Sequence, residues 1–480
     1  MDAIKNYING ELVAPLSNQY LDNFNPAIGE VYAQTPDSDE RDVALAVEAA
    51  ERAFFMWSNM PAEQRSRILM RIADLIEHNL ERLAEAESID TGKPITVART
   101  VDIPRAASNF RFFASAIMHH ASEAHAMESA AINYTLRQPL GVVAGISPWN
   151  LPLYLFTWKI APALAAGNCV IGKPSEITPM TAYLLAEVCN QAGLPPGVLN
   201  IVHGYGHKVG SAISVHPKIS ALSFTGSTRT GAEIARLAAP LFKRLSLELG
   251  GKNPNIIFAD CKYEEMLQTT LRSSFSNQGQ ICLCGSRIFV ERPLYEKFKT
   301  DFVAATQALH LGDPRNEDTQ LGAIVSEAHL QKILSYLALA REEGGEILCG
   351  GKRTIVPGRC QKGWFVEPAV IANLSPDCRT NQEEIFGPVV TIMPFENEEE
   401  VLNYANATSY GLAATIWTEN LTRAHRLANR IQSGIVWINC WMLRDLRTPF
   451  GGMKNSGMGR EGGWEALRFF TESKNVCVKL

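Results

Sequence analysis

From residue 141 the chain settles into an alternation of short apolar runs and longer amphipathic stretches, and few folds accept that pattern. Apolar runs of strand length occur at 142–146, 169–171, 198–202, 221–224 and 255–258. Between them, 178–191 carries Ala182, Leu185, Ala186 and Val188 at helical spacing. Strands that are apolar on both faces need helices on both sides, so the pattern predicts a parallel, doubly wound sheet. Such sheets take ligands in the crevice outside the carboxyl ends of their strands. A second α/β pattern begins after Gly250-Gly251, passes through 256–258 and a helix near 262–275, and continues to about residue 450. A length of 480 residues suits two or three domains of this kind.

The flanking pieces are simpler. Asn9-Gly10, set between Tyr7-Ile8 and Glu11-Leu12-Val13, fits the turn of a small hairpin, because both central positions of that turn need φ > 0. Two amphipathic helices follow, the second with Ile68, Ile72, Leu75, Ile76 and Leu83 on one face. Segments 131–137 and 475–478 alternate like strands at the edges of the α/β blocks. They read either as an arm that pairs with another subunit or as an ordinary edge hairpin.

A net charge of −5 excludes the basic footprint of a nucleic-acid binder. No uncharged apolar run reaches the roughly 18 residues of a membrane span. The amino-terminal residues lack a signal pattern. Cys282 and Cys284 are the only close pair among ten cysteines, with no second Cys or His cluster. The expectation is a reduced, cytoplasmic protein with no metal, no membrane partner and no nucleic-acid partner.

Two positions carry the chemistry. Cys282 lies in a run of small residues, Gly279-Gln280-Ile281-Cys282-Leu283-Cys284-Gly285-Ser286, where substrate can approach a thiol. A thiolate is a strong nucleophile but needs a base to take its proton. Glu248, in Leu247-Glu248-Leu249-Gly250-Gly251, is a lone carboxylate in apolar company, which raises its pKa toward the range where a base is useful.

Two glycine motifs compete for a dinucleotide. Gly204-Tyr205-Gly206-His207-Lys208-Val209-Gly210 has one residue too many before its last glycine. Gly226-Ser227-Thr228-Arg229-Thr230-Gly231 follows a strand directly and opens a helix, whose free N–H groups suit a pyrophosphate; it is the favoured site. Lys173-Pro174-Ser175-Glu176 leaves another strand at its carboxyl end, where Lys173 and Glu176 suit ribose hydroxyls. A carboxylate there repels a 2′-phosphate, so NAD is expected over NADP.

Seven motifs in order, Pro148-Trp149-Asn150, Lys173-Pro174-Ser175-Glu176, Phe224-Thr225-Gly226-Ser227, Leu247-Glu248-Leu249-Gly250-Gly251, Gly279-Gln280-Ile281-Cys282, Glu383-Glu384-Ile385-Phe386-Gly387-Pro388 and Pro449-Phe450-Gly451-Gly452, resemble the NAD(P)-dependent aldehyde dehydrogenases over essentially the whole chain. The resemblance implies an aldehyde dehydrogenase-like α/β fold: two doubly wound parallel-sheet domains and a small β oligomerisation arm. It implies an NAD-binding domain over 1–119 and 140–250, a catalytic domain over 251–450, and an arm over 120–139 and 468–480. It also implies a homodimer or homotetramer. Cys282 would attack the aldehyde, with Asn150 and the Cys282 N–H stabilising the oxyanion. Glu248 would activate the hydrolytic water, which separates this chain from relatives that pass the acyl group to coenzyme A. The cofactor residues so implied are Trp149, Lys173, Ser175, Glu176, Gly226, Ser227, Gly231, Leu249, Glu384 and Phe386. Cys284 stands where many relatives carry alanine and is read as inert packing.

Asp102-Ile103-Pro104-Arg105 and the stretch 439–452 resemble, more narrowly, the members of that family that oxidise muconic semialdehydes in aromatic-compound and tryptophan degradation. This implies a substrate with a terminal carboxylate, 2-aminomuconate 6-semialdehyde or 2-hydroxymuconate semialdehyde. Arg105 and Arg444 would clamp the carboxylate and Trp158 would pack on the conjugated chain, with Arg447 the alternative to Arg444. An internal salt bridge at either arginine, a betaine-aldehyde or broad aliphatic enzyme, and a non-catalytic protein on the same fold remain open at this point.

Overall fold

The computed structural model describes residues 2–480. Its centre is an eight-stranded sheet in the order Gly457–Met458, Arg244–Glu248, Ile219–Thr225, Val142–Ile146, Cys169–Lys173, Leu199–Ile201, Asn6–Ile8, Glu11–Val13. The five strands from Arg244–Glu248 to Leu199–Ile201 run parallel, and the outer ones pair antiparallel. The chain lays down Val142–Ile146, winds outward through Cys169–Lys173 and Leu199–Ile201, then returns to add Ile219–Thr225 on the opposite side. The direction of winding therefore reverses between Val142–Ile146 and Ile219–Thr225, and the residues just beyond those two strands flank the crevice.

A second sheet, seven-stranded, runs Glu346–Cys349, Ala369–Ala372, Val389–Phe395, Arg287–Glu291, Pro254–Ile257, Ala413–Trp417, Ile435–Ile438. It is parallel except at Glu346–Cys349. Each sheet is sandwiched by helices, with separate apolar cores on its two faces in the second case. A three-stranded antiparallel sheet stands apart. In it Thr471–Lys479 pairs along the whole of Ala131–Pro139, and Ala124–Met127 pairs on the other side. Met127, Ile132, Tyr134, Leu136 and Val478 are exposed on it.

The hairpin turn has Asn9 and Gly10 at φ 53° and 83°, as the sequence requires. Leu83 does not extend the helical face of Ile68, Ile72 and Ile76: that helix, Ala62–His78, stops at Asn79, and Leu83 belongs to Leu80–Thr91. The strand Arg244–Glu248 has no apolar run to announce it, since Arg244, Ser246 and Glu248 alternate with Leu245 and Leu247. Residues 457–458 and the helix Gly463–Phe469 pack with the first sheet, although they follow the second in sequence. No helix among the described residues is long and apolar enough to cross a membrane. No group of three or more His, Cys, Asp or Glu among them is arranged to hold a metal.

Candidate active site

Asn150 leaves the first sheet four residues beyond Ile146, and Cys282 sits in the loop between the helix Tyr263–Phe275 and the strand Arg287–Glu291 of the second. The two side chains line one cavity of about 200 Å³ together with Trp149, Leu249, Glu384 and Phe386. The nucleophile loop is held by its backbone. Asn253 Nδ2 donates to the carbonyls of Cys282 (2.7 Å) and Cys284 (2.9 Å), and Trp441 Nε1 donates to that of Leu283 (3.0 Å). Asn277, Gln278 and Gly279 enter the loop with φ of 51°, 55° and 68°, three successive left-handed residues. At Gly279 a Cβ would stand 2.1 Å from the Gly387 carbonyl oxygen, so only glycine fits. The Asn150 Nδ2 donates to the Gln280 carbonyl (2.8 Å), bonding the oxyanion candidate of one sheet to the thiol loop of the other.

Cys282 is half-buried, and burial, then the Glu384 and Glu248 carboxylates, push its thiol up to about 12. Glu248 ends its strand fully inside the protein, and neither carboxylate oxygen has a hydrogen-bond partner. Burial, then the neighbouring Glu461, raise it well above the usual carboxylate range, against the pull of Lys159, Arg460 and Arg444. Glu461 is itself tied down by Lys159 Nζ (3.0 Å) and Ser223 Oγ (2.6 Å). Cys284 is buried among Leu412, Trp437 and Trp441, a packing position.

A larger cavity of about 810 Å³ opens from the first through Pro148, Trp149, Thr225, Gly226 and Ser227. Lys173, Ser175 and Glu176 line it on one wall, and the helix Thr228–Ala238 presents its first turn to it, capped by Ser227 Oγ to Thr230 N (3.2 Å). Gly231 lets that helix approach Leu249, whose Cδ2 a Cβ would meet at 2.5 Å. Glu176 accepts from Lys173 Nζ (3.0 Å) and the Gly206 N–H (3.4 Å); burial works against its ionised form, but these partners bring it below the usual range. Gly206 and Gly210 of the disfavoured glycine motif also line this cavity, so both motifs contribute walls. Buried Thr225 Oγ1, which lines both cavities, has no hydrogen-bond partner.

Arg444 does not make the salt bridge left open from sequence. Its Nη1 donates to the Tyr154 hydroxyl (2.7 Å), and its guanidinium lies over the rings of Phe450 (4.0 Å) and Trp158 (5.5 Å). Arg447 instead pairs with Asp445 at 2.5 Å on the surface. Arg105, on the helix Ile103–Ala116, lies 5.8 Å above the Tyr154 ring. Neither Arg105 nor Arg444 has a carboxylate partner among the described residues.

The match to the Aldehyde dehydrogenase family spans residues 13–476. The chain belongs to the aldehyde dehydrogenase family. Among its relatives, a 2-aminomuconic semialdehyde dehydrogenase of Bos taurus is 52% identical over 99% of this chain and 98% of its own. A 2-hydroxymuconic semialdehyde dehydrogenase of Pseudomonas sp. strain CF600 is 46% identical over the whole of both. An aldehyde dehydrogenase of Bacillus cereus, solved as its NAD+ complex, superimposes with a TM-score of 0.97 at 40% identity, covering 100% of this chain and 97% of that one.

As in any family member read from motifs alone, some neighbours stay hidden. Sequence reasoning missed His329, whose Nε2 donates to the Phe386 carbonyl (2.6 Å) and whose ring meets Trp149 edge-on, and Lys332, which donates to the Glu384 carbonyl (3.1 Å). It also missed Tyr154 and Glu461. None of these stands in a motif, and only the fold brings them to the site.

Proposed function

We propose that this aldehyde dehydrogenase oxidises a muconic-type semialdehyde, 2-aminomuconate 6-semialdehyde or its 2-hydroxy counterpart, to the dicarboxylate with NAD and releases the free acid by hydrolysis. The observation that carries the substrate class is the pair of guanidiniums, Arg105 and Arg444, that bracket Tyr154 with no salt bridge to a protein carboxylate, Arg444 lying close enough to favour the ionised form of Cys282. Both guanidiniums are partly exposed and make no ion pair, and the substrate's far carboxylate supplies an anion for them. The names of the relatives at 46–52% identity fit the same class.

The residues present fit NAD. The larger cavity offers a helix N-terminus for phosphate, Glu176 and Lys173 for ribose hydroxyls, and the unpartnered Thr225 hydroxyl at the passage to Cys282. Trp149, Leu249, Glu384 and Phe386 surround the passage on the Cys282 side. When bound, NAD supplies the acceptor for the hydride that leaves the aldehyde carbon.

Everything else is done by the chain. The Cys282 thiol loses its proton to Glu248, and Sγ bonds to the aldehyde carbon. The oxygen gains negative charge, which one N–H of Asn150 and the Cys282 backbone N–H stabilise; an oxyanion donor of this sort is worth about 3 kcal/mol. Loss of hydride leaves an acyl group on Sγ. Glu248 gives the thiol's proton to bulk water and, ionised again, takes a proton from the hydrolytic water, whose oxygen attacks the thioester; the C–Sγ bond breaks, the acid leaves, and the proton on Glu248 returns to Sγ. The apolar residues exposed on the small sheet, Ile132, Tyr134 and Leu136 of its central strand with Met127 and Val478 of the outer ones, support a homodimer or homotetramer. The domain assignment expected from sequence and a cytoplasmic setting complete the reading.

The test is production of NADH on adding each muconic semialdehyde, beside an uncharged aldehyde of similar length and betaine aldehyde. Preference for the carboxylated substrates supports the reading, and preference for the cationic or uncharged ones overturns it.

A further inference from the structure

Lys93 is wholly inside the protein, on the turn after the helix Leu80–Thr91. Its ammonium is ion-paired to Asp102 and lies 3.9 Å from a Glu87 oxygen, and all three side chains have no exposure. Its remaining partner is not a side chain: Nζ donates 3.0 Å to the backbone carbonyl of Asn150. A buried ammonium with two carboxylates is a poor stabiliser, because desolvation of three charges offsets their attraction. Burial also pushes the Glu87 carboxyl above its ordinary range. Its value has to lie elsewhere, and the geometry shows where.

The segment 150–153 is gripped at both ends by this cluster. Lys93 holds the Asn150 carbonyl, and Glu87 Oε2 accepts from the Leu153 N–H (3.4 Å), at the start of the helix Pro152–Ala165, and from Thr181 Oγ1 (2.9 Å). The same turn reaches the other sheet. The Gly92 carbonyl accepts from Ala323 N (2.8 Å), the Ala323 carbonyl accepts from Gln278 Nε2 (2.8 Å), and Gln280 Oε1 accepts from Val325 N (3.2 Å). Gln278 and Gln280 are the residues that lead into Cys282. Asn277 Nδ2, from the same lead-in, is the second donor to the Asn150 carbonyl (3.1 Å).

We infer that Lys93 is a positioning residue for catalysis: its ammonium, steadied by Asp102 and Glu87, fixes the Asn150 peptide so that the side-chain amide stays in register with the Cys282 sulfur. This rests on the reading of Asn150 as oxyanion donor. Displacement of a catalytic group by about 1 Å lowers rates by about 100-fold, so loss of the anchor reaches kcat without touching substrate.

The experiment compares Lys93→Met, Asn150→Ala and the double variant, with propanal and NAD, by single-turnover NADH formation. Expected are a loss of about 100-fold or more for Asn150→Ala, a loss of ten- to about a hundredfold for Lys93→Met with the KM for NAD unchanged, and a double variant no slower than Asn150→Ala. Iodoacetamide alkylation of Cys282 in Lys93→Met should keep the wild-type rate, which a general loosening of the site would change. Should Lys93→Met fail to fold, Asp102→Asn enters the same cycle with the same expectation. Full activity of Lys93→Met, or losses that multiply in the double variant, overturns the inference while leaving the Asn150 reading intact. Full activity of Asn150→Ala alone overturns that reading and the inference with it.

Discussion

Replacing Arg444 by methionine keeps most of the apolar stem against Phe450 and Trp158 and removes the charge. Tyr154 occupies one Nη1 donor, which leaves the rest of the guanidinium for a substrate carboxylate. A hydrogen bond between charged partners contributes about 1.5–3 kcal/mol. At about 1.4 kcal/mol per tenfold, that corresponds to a fall in kcat/KM of roughly 10- to 150-fold for a carboxylated semialdehyde. Arg444 acts on the chemistry too, since its charge favours the ionised forms of Glu248 and Cys282. That contribution falls equally on every aldehyde, so the informative quantity is a ratio. The assay is kcat/KM for a muconic semialdehyde divided by kcat/KM for an unbranched aldehyde of similar length, in wild type and Arg444→Met. The ratio should drop by at least about tenfold, whatever happens to the absolute rates. An unchanged ratio, with both substrates slowed alike, refutes the clamp.

Cys282→Ala should abolish oxidation while Cys284→Ala, which empties only a packing site, leaves kcat within about threefold; mass spectrometry of a trapped acyl-enzyme should find the adduct on Cys282. Because burial and Glu461 raise the folded-state pKa of Glu248, its basic form develops at higher pH than that of an ordinary carboxylate, so kcat should climb with pH above the usual carboxylate range. Glu461→Gln, which removes the neighbouring negative charge, should move that limb to lower pH, and a pH–kcat profile of both proteins checks it. Gly279→Ala forces a Cβ onto the Gly387 carbonyl from a left-handed backbone, and thermal unfolding should register a loss of about 2 kcal/mol or more.

The alternation of apolar strands and helices was legible because strands buried on both faces leave a run of Val, Ile, Ala and Cys, whereas the strand order, and with it the switch point, comes only from the pairing. The strand that ends in Glu248 was not, since Arg244 and Ser246 interrupt its apolar character and only pairing with Ile219–Thr225 makes it a strand. The end of the helix at Asn79 was hidden because Leu83 continues the spacing of Ile72 and Ile76 across the break. Cys282 and Glu248 stood in stretches that carry their own chemistry, and Asn150 in a motif shared with the family. Tyr154, His329 and Lys93 had no such signal: a tyrosine among leucines, a histidine on a surface-like helix and a lysine after a glycine are ordinary in sequence. Their roles come from what the fold sets against them.

The bond from Asn150 to the Gln280 carbonyl spans two independently cored bodies. Turnover is thus a readout of how those bodies are seated, not only of whether each has formed. Under mild denaturant, catalysis should fade while circular dichroism still reports intact helices and strands, and a ligand that bridges the crevice should delay the fading.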